Sequence, residues 1–260
     1  MKIDKLVASA AEAVADIRDG ASIAVGGFGL SGVPQTLIEA LKVTSSKDLQ
    51  VVSNNCGSDG SGLGVLLEQH RIARVTASYV GDNKEFARQY LEGEIELELL
   101  PQGSLAERMR AGGMGIPAFF TPAGVGTLVA EGGLPWRYDA DGNVLISSPA
   151  KEQREFDLGG SGPRLYVLEE AIVTDFALVR AWIGDRVGNL VYRESSRNFN
   201  PLCAMAGRIT IAEVEHLVEP GEIDPDHVHT PGVFVSRIVD VAPDDVKKVE
   251  KRTTRQTERG

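Results

Sequence analysis

The sequence predicts an α/β protein with an open, twisted, mainly parallel sheet and helices on both faces. Short apolar runs, such as residues 23–25 and 49–52, suit parallel strands that are covered on both sides. Helical patterns separate these runs, and this alternation is typical of parallel sheets. Glycine-rich turns at 26–32 and 57–64 follow the first two strands, at the edge where such sheets bind ligands.

Size and composition exclude several classes of protein. The chain has 260 residues, enough for one domain over residues 1–243, and we expect residues 244–260 to form a charged tail. No apolar run approaches the ~20 residues needed to span a bilayer. A formal net charge of −10 argues against nucleic acids and anionic membranes as partners. Residues 1–5 lack the apolar core of a signal peptide, so we expect a cytoplasmic protein.

The cysteines and histidines do not form a metal-binding pattern. Cys56 and Cys203 lie outside any C-x-x-C spacing, and two cysteines cannot build a disulfide framework. Cys56 has no histidine near it in sequence, so we expect a small buried thiol rather than a nucleophile. His227 and His229 lack a third ligand close by. We therefore predict no metal site.

The first half of the chain alternates helices and strands. Apolar residues at helical spacing predict a first helix over residues 5–18, which Gly20 ends. Pro34 pre-sets the first turn of a second helix after the turn 26–32. The same patterns predict strands over 49–52 and 71–80 and helices over 65–67 and 84–91.

Two patterns lie near residue 100. Three glutamates alternate with three apolar residues over 94–99, which predicts a half-exposed strand with a solvated acidic face. Ser104 and Glu107 then form a capping box for a helix that ends at 112–113. Gln102 stands just before this helix. Its amide suits either the orientation of a carbonyl or carboxylate, or the stabilisation of the turn.

The second half of the chain is richer in turns and strands. Residues 114–127 combine glycine, proline and two phenylalanines, which indicates an irregular loop with an apolar wall. Such a wall suits a pantetheine-like arm, an intersubunit contact or simple loop packing. The sequence further predicts a hairpin over 136–146, a polar loop over 147–164, and strands over 165–173, 176–183, 189–192, 209–214 and 233–241.

The glycine-rich turn 26–32 is the main candidate site. Gly26, Gly27, Gly29 and Gly32 permit positive φ and a close approach of the backbone to a ligand. Free amides and the start of the next helix favour an anion there. The turn also matches G-x-G-x-x-G, but the next strand ends in Ser53-Asn54-Asn55 without the acid that a nicotinamide cofactor needs. Another anionic ligand is therefore favoured over NAD, and a turn without a ligand remains an alternative.

Other polar residues have two interpretations each. Asn54 and Asn55 lie at a strand end, where they suit the lining of a site or a hydrogen-bonded turn. Arg193 and Arg197 form a cation-plus-amide cluster with residues 194–200, which suits an anionic substrate or a surface ion-pair patch. The sequence alone does not separate these alternatives.

Residues 19–34 resemble the first signature of the family I CoA transferases. The match fixes Asp19-Gly20, an apolar triplet, Gly26-Gly27-Phe28, Gly32 and Pro34 at their spacing. Cys56 and Met114 stand where the family pattern has alanine. Further segments that resemble the A (α) subunits of the branch acting on succinyl-CoA and 3-oxoacids are 52–55, 78–81, 88–91, 101–103, 105–108, 115–119 and 197–200.

The resemblance implies a fold shared with sugar-phosphate isomerases and a covalent mechanism. A glutamate attacks the donor thioester, an acyl anhydride forms, and a glutamyl-CoA thioester then passes CoA to the acceptor acid. In the family that glutamate belongs to a Ser-Glu-Asn-Gly motif in the second half of the enzyme, and this sequence lacks the motif. The resemblance thus implies no catalytic residue on this chain, no metal or resident cofactor, and a B (β) partner in a heterotetramer of two α and two β subunits.

The predicted site follows from the resemblance and from strand ends together. The CoA-binding residues carried over are Gly26, Gly27, Phe28, Gly29, Leu30, Ser31 and Gly32, and the substrate-binding residue carried over is Gln102. Asn54 and Asn55 join them by position. The expected substrates are succinyl-CoA and a 3-oxoacid such as acetoacetate. Alternatives are transfer to 3-oxoadipate or acetate, an NAD-dependent dehydrogenase, and a non-catalytic binding protein of related fold.

Overall fold

A computed structural model describes residues 4–81, 83–160 and 162–241. Within them, the α-helices are α1 Ala10–Val14, α2 Gln35–Lys42, α3 Gly64–Leu67, α4 Lys84–Leu91, α5 Gln102–Gly113, α6 Leu128–Glu131 and α7 Asn200–Ala206. The strands are β1 Ser22–Val25, β2 Leu49–Val52, β3 Ile72–Ala77, β4 Glu96–Leu99, β5 Ala118–Thr121, β6 Pro135–Tyr138, β7 Val144–Ser147, β8 Gln153–Phe156, β9 Arg164–Glu170, β10 Thr174–Asp185, β11 Leu190–Val191, β12 Gly207–Val218 and β13 Arg237–Asp240.

The main sheet is an open parallel sheet, as the sequence predicts. Seven strands lie in the order β13-β12-β10-β1-β2-β3-β4, and each neighbouring pair is parallel. The short strand β11 pairs antiparallel with β10. The carboxyl ends of β1, β2 and β3 therefore meet at one edge of the sheet, and the two glycine-rich turns leave from there.

Helices cover both faces of this sheet. Ile23 and Val51 point into a core with α1, α2, α3 and α4. Ala24 and Val179 point to the opposite face, into a second core with α5 and α7. Each fully buried Leu or Ile of these cores stabilises the fold by about 1.5–3 kcal/mol. The two cores hold the strand ends, and hence the turns, in fixed positions.

The two smaller sheets correct two predictions. The expected loop 114–127 contains β5, and the expected polar loop 147–164 contains β8; both pair antiparallel with β9. Neither segment has a regular apolar alternation, so only the pairing across the chain reveals them. The predicted hairpin is confirmed as β6 and β7. Phe120 packs on Phe156 with ring centroids 4.9 Å apart.

The predicted first helix is wrong in length. Helix α1 has only five residues, capped by Ser9, whose side chain accepts a hydrogen bond from the Glu12 amide. The residues before it extend the sheet instead, since the Val7 amide donates to Ile238 O at 2.9 Å and Leu6 bridges Ile238. Pairing with β13 outweighs the helical periodicity of this segment.

The expected solvated acidic face of residues 94–99 is confirmed at Glu94, which is exposed, and wrong at Glu98. Glu98 is only 7% exposed. Its carboxylate accepts hydrogen bonds from Arg74 at 3.0 Å and from Arg108 at 2.9 Å. Burial alone raises the pKa of Glu98, but the two guanidinium groups outweigh it and hold that pKa below its usual value. The charge is buried because cations from β3 and α5 pair with it.

The predicted capping box does not form. Helix α5 begins at Gln102, so Ser104 and Glu107 lie inside its first two turns, and no side chain caps the helix. The Ser104 hydroxyl has no hydrogen-bond partner in the described chain, and Glu107 pairs with Arg110 at 2.6 Å. Pro101 disfavours the helical conformation at Leu100, so the helix does not begin earlier.

Two expectations concern residues 242–260. The domain boundary at 243 and the charged tail 244–260 lie outside the described residues. Within the described ranges, no helix is both long and apolar enough to cross a membrane.

Candidate active site

A cavity of about 880 Å³ opens at the carboxyl ends of β1, β2 and β3. Phe28, Gly29, Leu30 and Ser31 of the predicted glycine turn line it together with Asn54, Asn55 and Gln102, whereas Gly26, Gly27 and Gly32 do not. None of its described lining residues carries a charged side chain or a thiol. The lining residues are Phe28, Gly29, Leu30, Ser31, Asn54, Asn55, Gly57, Ser58, Ser78, Tyr79, Gly81, Gln102, Ser195 and Asn198.

The glycine turn has a defined backbone geometry. Phe28 and Ser31 form an isolated bridge in which each amide donates to the other's carbonyl at 3.0 Å. Gly27, Gly29 and Gly32 have φ angles of 122°, 59° and 69°, which confirms the predicted need for glycine at these three positions. Gly26 is different, because its φ is not positive. A Cβ there would lie 1.9 Å from Asn200 Oδ1, so close packing requires this glycine.

The backbone amides of the turn are the donors that the site offers. The Gly29 amide donates to Asn55 Oδ1 at 3.1 Å. The Leu30 and Gly32 amides have no acceptor in the described part of the chain. Of these two residues only Leu30 lines the cavity, and a free backbone amide there favours an anion or a developing oxyanion.

The start of helix α2 does not face the cavity as predicted. Its Leu37 amide donates to Glu213 Oε2 at 2.9 Å, and Glu213 is fully buried. Burial raises the pKa of Glu213 to about 8, against the hydrogen bond from Leu37 and the attraction of Arg180. The side chain of an internal glutamate therefore takes the position at the helix N-terminus where an anionic ligand was expected.

A chain of side-chain amides links the turn to Gln102. Gln102 Nε2 donates to Asn54 Oδ1 at 2.7 Å, and Asn54 Nδ2 donates to Asn55 Oδ1 at 3.2 Å. Because the Gly29 amide can only donate, it fixes Asn55 Oδ1 as an acceptor and sets the direction of the whole relay. Asn54 and Asn55 are 1% and 7% exposed, so they chiefly hold the exposed Gln102 in place.

The second glycine-rich turn repeats the first after 30 residues. Ser58 and Ser61 form the same bridge, with amide-to-carbonyl distances of 3.3 and 3.0 Å. In this turn, however, the chain itself supplies the acceptors. The Gly60 amide donates to Glu68 Oε1 at 2.8 Å, and the Gly62 amide donates to Gln35 Oε1 at 3.0 Å.

Residues 195–200 support the glycine turn from behind. Asn198 Nδ2 donates to Ser31 O at 3.1 Å, and Ser31 Oγ lies 2.9 Å from Ser195 Oγ. The sequence pointed instead to Arg193 and Arg197 in this segment, yet neither lines the cavity. Arg193 packs over Trp182, 5.4 Å from the ring centroid. The Asn-Phe-Asn motif at 198–200 was the sequence feature that indicated the residues in contact with the glycine turn.

The remaining candidates lie away from the cavity. Cys56 is fully buried, and burial raises the pKa of its thiol to about 12, which confirms the expected buried thiol. Phe119 and Phe120 do not line the cavity. His229 Nδ1 accepts a hydrogen bond from the Tyr192 amide at 2.9 Å. In the described ranges, no three His, Cys, Asp or Glu residues come together as a metal site would require.

Known proteins resemble this chain over nearly its whole length. The profile of the Coenzyme A transferase family matches residues 7–241. A Mycobacterium tuberculosis protein, described as the A-type subunit of a probable succinyl-CoA:3-ketoacid coenzyme A transferase, is 68% identical over 98% of this chain and 100% of its own length. The human succinyl-CoA:3-ketoacid coenzyme A transferase 2, mitochondrial, is 50% identical over 97% of this chain but only 47% of its own length.

Solved structures extend the comparison to the fold. The acyl-CoA transferase apoenzyme from Escherichia coli O157:H7 superposes with a TM-score of 0.76 at 23% identity. The match covers 96% of this chain and 49% of that one. Both the sequence profile and the fold agree: this chain belongs to the coenzyme A transferase family.

Proposed function

We propose that this chain is the α subunit of an enzyme that moves CoA between succinyl-CoA and a 3-oxoacid such as acetoacetate. It is active only with a β subunit that supplies the glutamate nucleophile. One observation carries this proposal: the described lining of the 880 Å³ cavity contains polar amides and backbone groups but no carboxylate. The sequence also lacks the Ser-Glu-Asn-Gly motif.

The partner's glutamate would do the covalent chemistry. It attacks the donor thioester, the carbon–sulfur bond breaks, and an acyl anhydride and a CoA thiolate result. The thiolate attacks the glutamyl carbonyl and releases the donor acid, which leaves a glutamyl-CoA thioester. The acceptor acid then takes CoA by the reverse sequence, so atoms balance without a cofactor.

This chain would stabilise the charge that develops in each step. Every attack turns a carbonyl oxygen into an oxyanion, and donors fixed in advance accelerate such a step most when they meet the transition state. The Leu30 amide is suited to that role because Leu30 lines the cavity and the described chain offers its amide no acceptor. Gln102, held by Asn54, would orient the substrate.

The relatives support a separate partner. The Mycobacterium relative is described as one subunit of an enzyme, and the human relative is about twice as long as this chain. We propose an assembly of two α and two β subunits in the cytoplasm, with residues 1–243 as the α-subunit domain. The β subunit would also provide cations for the phosphates of CoA, since this chain has a net charge of −10.

Reconstitution tests the proposal. The chain is co-expressed with its β partner, and CoA transfer from succinyl-CoA to acetoacetate is followed by the absorbance of acetoacetyl-CoA. We expect transfer by the pair and none by either chain alone. Parallel assays with 3-oxoadipate and acetate as acceptors test the alternative substrates. Transfer by this chain in isolation would contradict the division of roles.

A further inference from the structure

Asn200 lies outside the cavity lining but contacts the glycine turn directly. It is fully buried, at the first position of α7. Its Nδ2 donates to Gly32 O at 2.9 Å and to Ser196 O at 2.8 Å. Its Oδ1 accepts from the Arg180 amide at 3.0 Å. One side chain therefore joins the turn, the segment behind it and strand β10.

We propose that Asn200 is a positioning residue that holds the glycine turn at Gly32 O and thereby sets the direction of the Leu30 amide in the cavity. The inference rests on the proposed function and adds a residue that touches neither substrate nor partner. The side-chain amide of Asn200 bonds the protein backbone through its acceptor and both donor hydrogens. We call this set of three hydrogen bonds the bracket. Strand β10, which lies inside the main sheet between β12 and β1, provides the fixed end of that bracket.

The packing around Asn200 shows how closely the bracket fits the turn. A Cβ at Gly26 would meet Asn200 Oδ1 at 1.9 Å, and a Cβ at Gly32 would meet Asn200 Nδ2 at 2.8 Å. Close packing against the Asn200 side chain is therefore one reason why positions 26 and 32 require glycine. Any movement of Asn200 moves the backbone on both sides of the bridge between Phe28 and Ser31.

Strand β10 is rigid at the point where it holds the bracket. Arg180 is 2% exposed, and its guanidinium pairs with buried Glu215 on β12. Arg180 also pairs in register with Glu213, which binds the start of α2. The strand residue that donates to Asn200 is therefore fixed by its side chain as well as by the sheet.

The variant Asn200→Asp tests the role in the α–β complex. Aspartate keeps an acceptor for the Arg180 amide but loses both donors. We expect kcat to fall about 10- to 100-fold, because a small displacement of a catalytic group has that effect. The KM for succinyl-CoA should stay within about twofold, since the oxyanion forms only in the transition state. A kcat within twofold of wild type would overturn the inference, as would a rise in KM alone.

Asn83→Asp is the matched control. Asn83 is 1% exposed, donates to Cys56 O at 3.1 Å and accepts from the Phe86 amide at 2.8 Å. Aspartate keeps that acceptor at the N-cap of α4 but loses the buried donor bond, away from the first turn. We expect a loss of thermal stability smaller than that of Asn200→Asp, which loses two donor bonds, with kcat retained within about twofold. An equal fall of kcat in both variants would mean that general destabilisation explains the effect, and the inference would fail.

A double-mutant cycle keeps the test open if Asn200→Asp does not assemble. Gly26→Ala alone should reduce kcat strongly, because its methyl group meets Asn200 Oδ1. Removing that obstacle in Gly26→Ala/Asn200→Ala should make the second substitution cost less than it does in the wild-type background. Additive losses would show that the two residues do not act through their contact.

Amide hydrogen exchange separates this inference from the proposed function. In the Asn200→Asp complex, we expect faster exchange over residues 26–32, while residues 57–62 exchange as in wild type. That result supports the bracket even if the wild-type pair transfers no CoA, which would refute only the proposed function. Unchanged exchange over 26–32 would overturn the bracket even if the wild-type pair is active.

Discussion

The two glycine-rich turns have nearly the same backbone and opposite hydrogen bonding. Gly32 and its counterpart Gly62 have φ angles of 69° and 60°, and both turns close with a four-residue bridge. In the second turn, Glu68 and Gln35 accept from the amides of Gly60 and Gly62. In the first turn, the Leu30 and Gly32 amides have no acceptor among the described residues. The same turn geometry thus occurs twice. The absence of acceptors in the described chain marks the first turn as the candidate binding site.

This difference has an energetic meaning. A buried amide without a partner costs about 1–3 kcal/mol, and a ligand oxygen that binds it recovers that cost. The second turn meets the cost within the fold by using side chains from α2 and the end of α3. In the first turn, this cost is offset only when a substrate or transition state accepts from the free amide. An interaction made in the transition state accelerates the reaction most.

The largest expected effect separates Gly32 from Gly60. Gly32→Ala places a methyl group 2.9 Å from Ser196 Cα and displaces the turn that carries the Leu30 amide, so we expect CoA transfer to fall about 100-fold or more. Gly60→Ala has the same unfavourable φ, but its nearest atom is 3.8 Å away. It should cost about 1–2 kcal/mol of stability and leave kcat intact. Equal losses of activity in the two variants would end the comparison.

A smaller effect is expected from the relay that begins at Gly29. Asn55→Ala removes the acceptor of the Gly29 amide and one of the contacts that orient Asn54, so Gln102 is held less firmly, with Ser78 Oγ still donating to Asn54 Oδ1 at 2.8 Å. We expect kcat/KM to fall about tenfold, as for the loss of one oriented hydrogen bond. Steady-state kinetics of the α–β pair measure it. Adding Gln102→Ala to the Asn55→Ala variant should lower kcat/KM little further, because the two residues belong to one chain of hydrogen bonds.

The second turn should respond in stability and not in catalysis. Gln35→Ala removes the acceptor of the Gly62 amide, which should cost about 1 kcal/mol in the free energy of unfolding. Urea denaturation measures that loss, and the CoA-transfer assay serves as the control. A tenfold fall in kcat would show that the second turn is part of the catalytic site.

The smallest effect on catalysis is expected from Glu213 at the start of α2. Burial raises its pKa from 4.5 to about 8 in the folded protein, so the folded state binds this proton more tightly. The resulting stabilisation is complete below pH 4.5 and declines as the pH rises to 8. Glu213→Gln should therefore flatten the fall in unfolding free energy between about pH 6 and pH 8. An unchanged pH dependence would contradict the raised pKa.

The sequence predicts what is local and misses what is distant. The glycine turn, α2 and the strand end at 53–55, which lacks an acid, can be predicted because each depends on residues within about 35 positions of the others. Asn200 lies 168 residues from Gly32, and only the placement of β10 beside β1 brings it near. Burial of Glu98 depends likewise on Arg74 and Arg108 from other elements. In the sequence, the repetition of the turn is indicated by the spacing of Gly27 and Gly32, which recurs at Gly57 and Gly62.

The most direct test asks which chain carries the covalent intermediate. The α–β pair is incubated with acetoacetyl-CoA, and the enzyme thioester is reduced with tritiated borohydride before peptide mapping. A cavity without a described carboxylate predicts that all label lies on one glutamate of the β subunit. Label on any carboxylate of this chain would contradict the account.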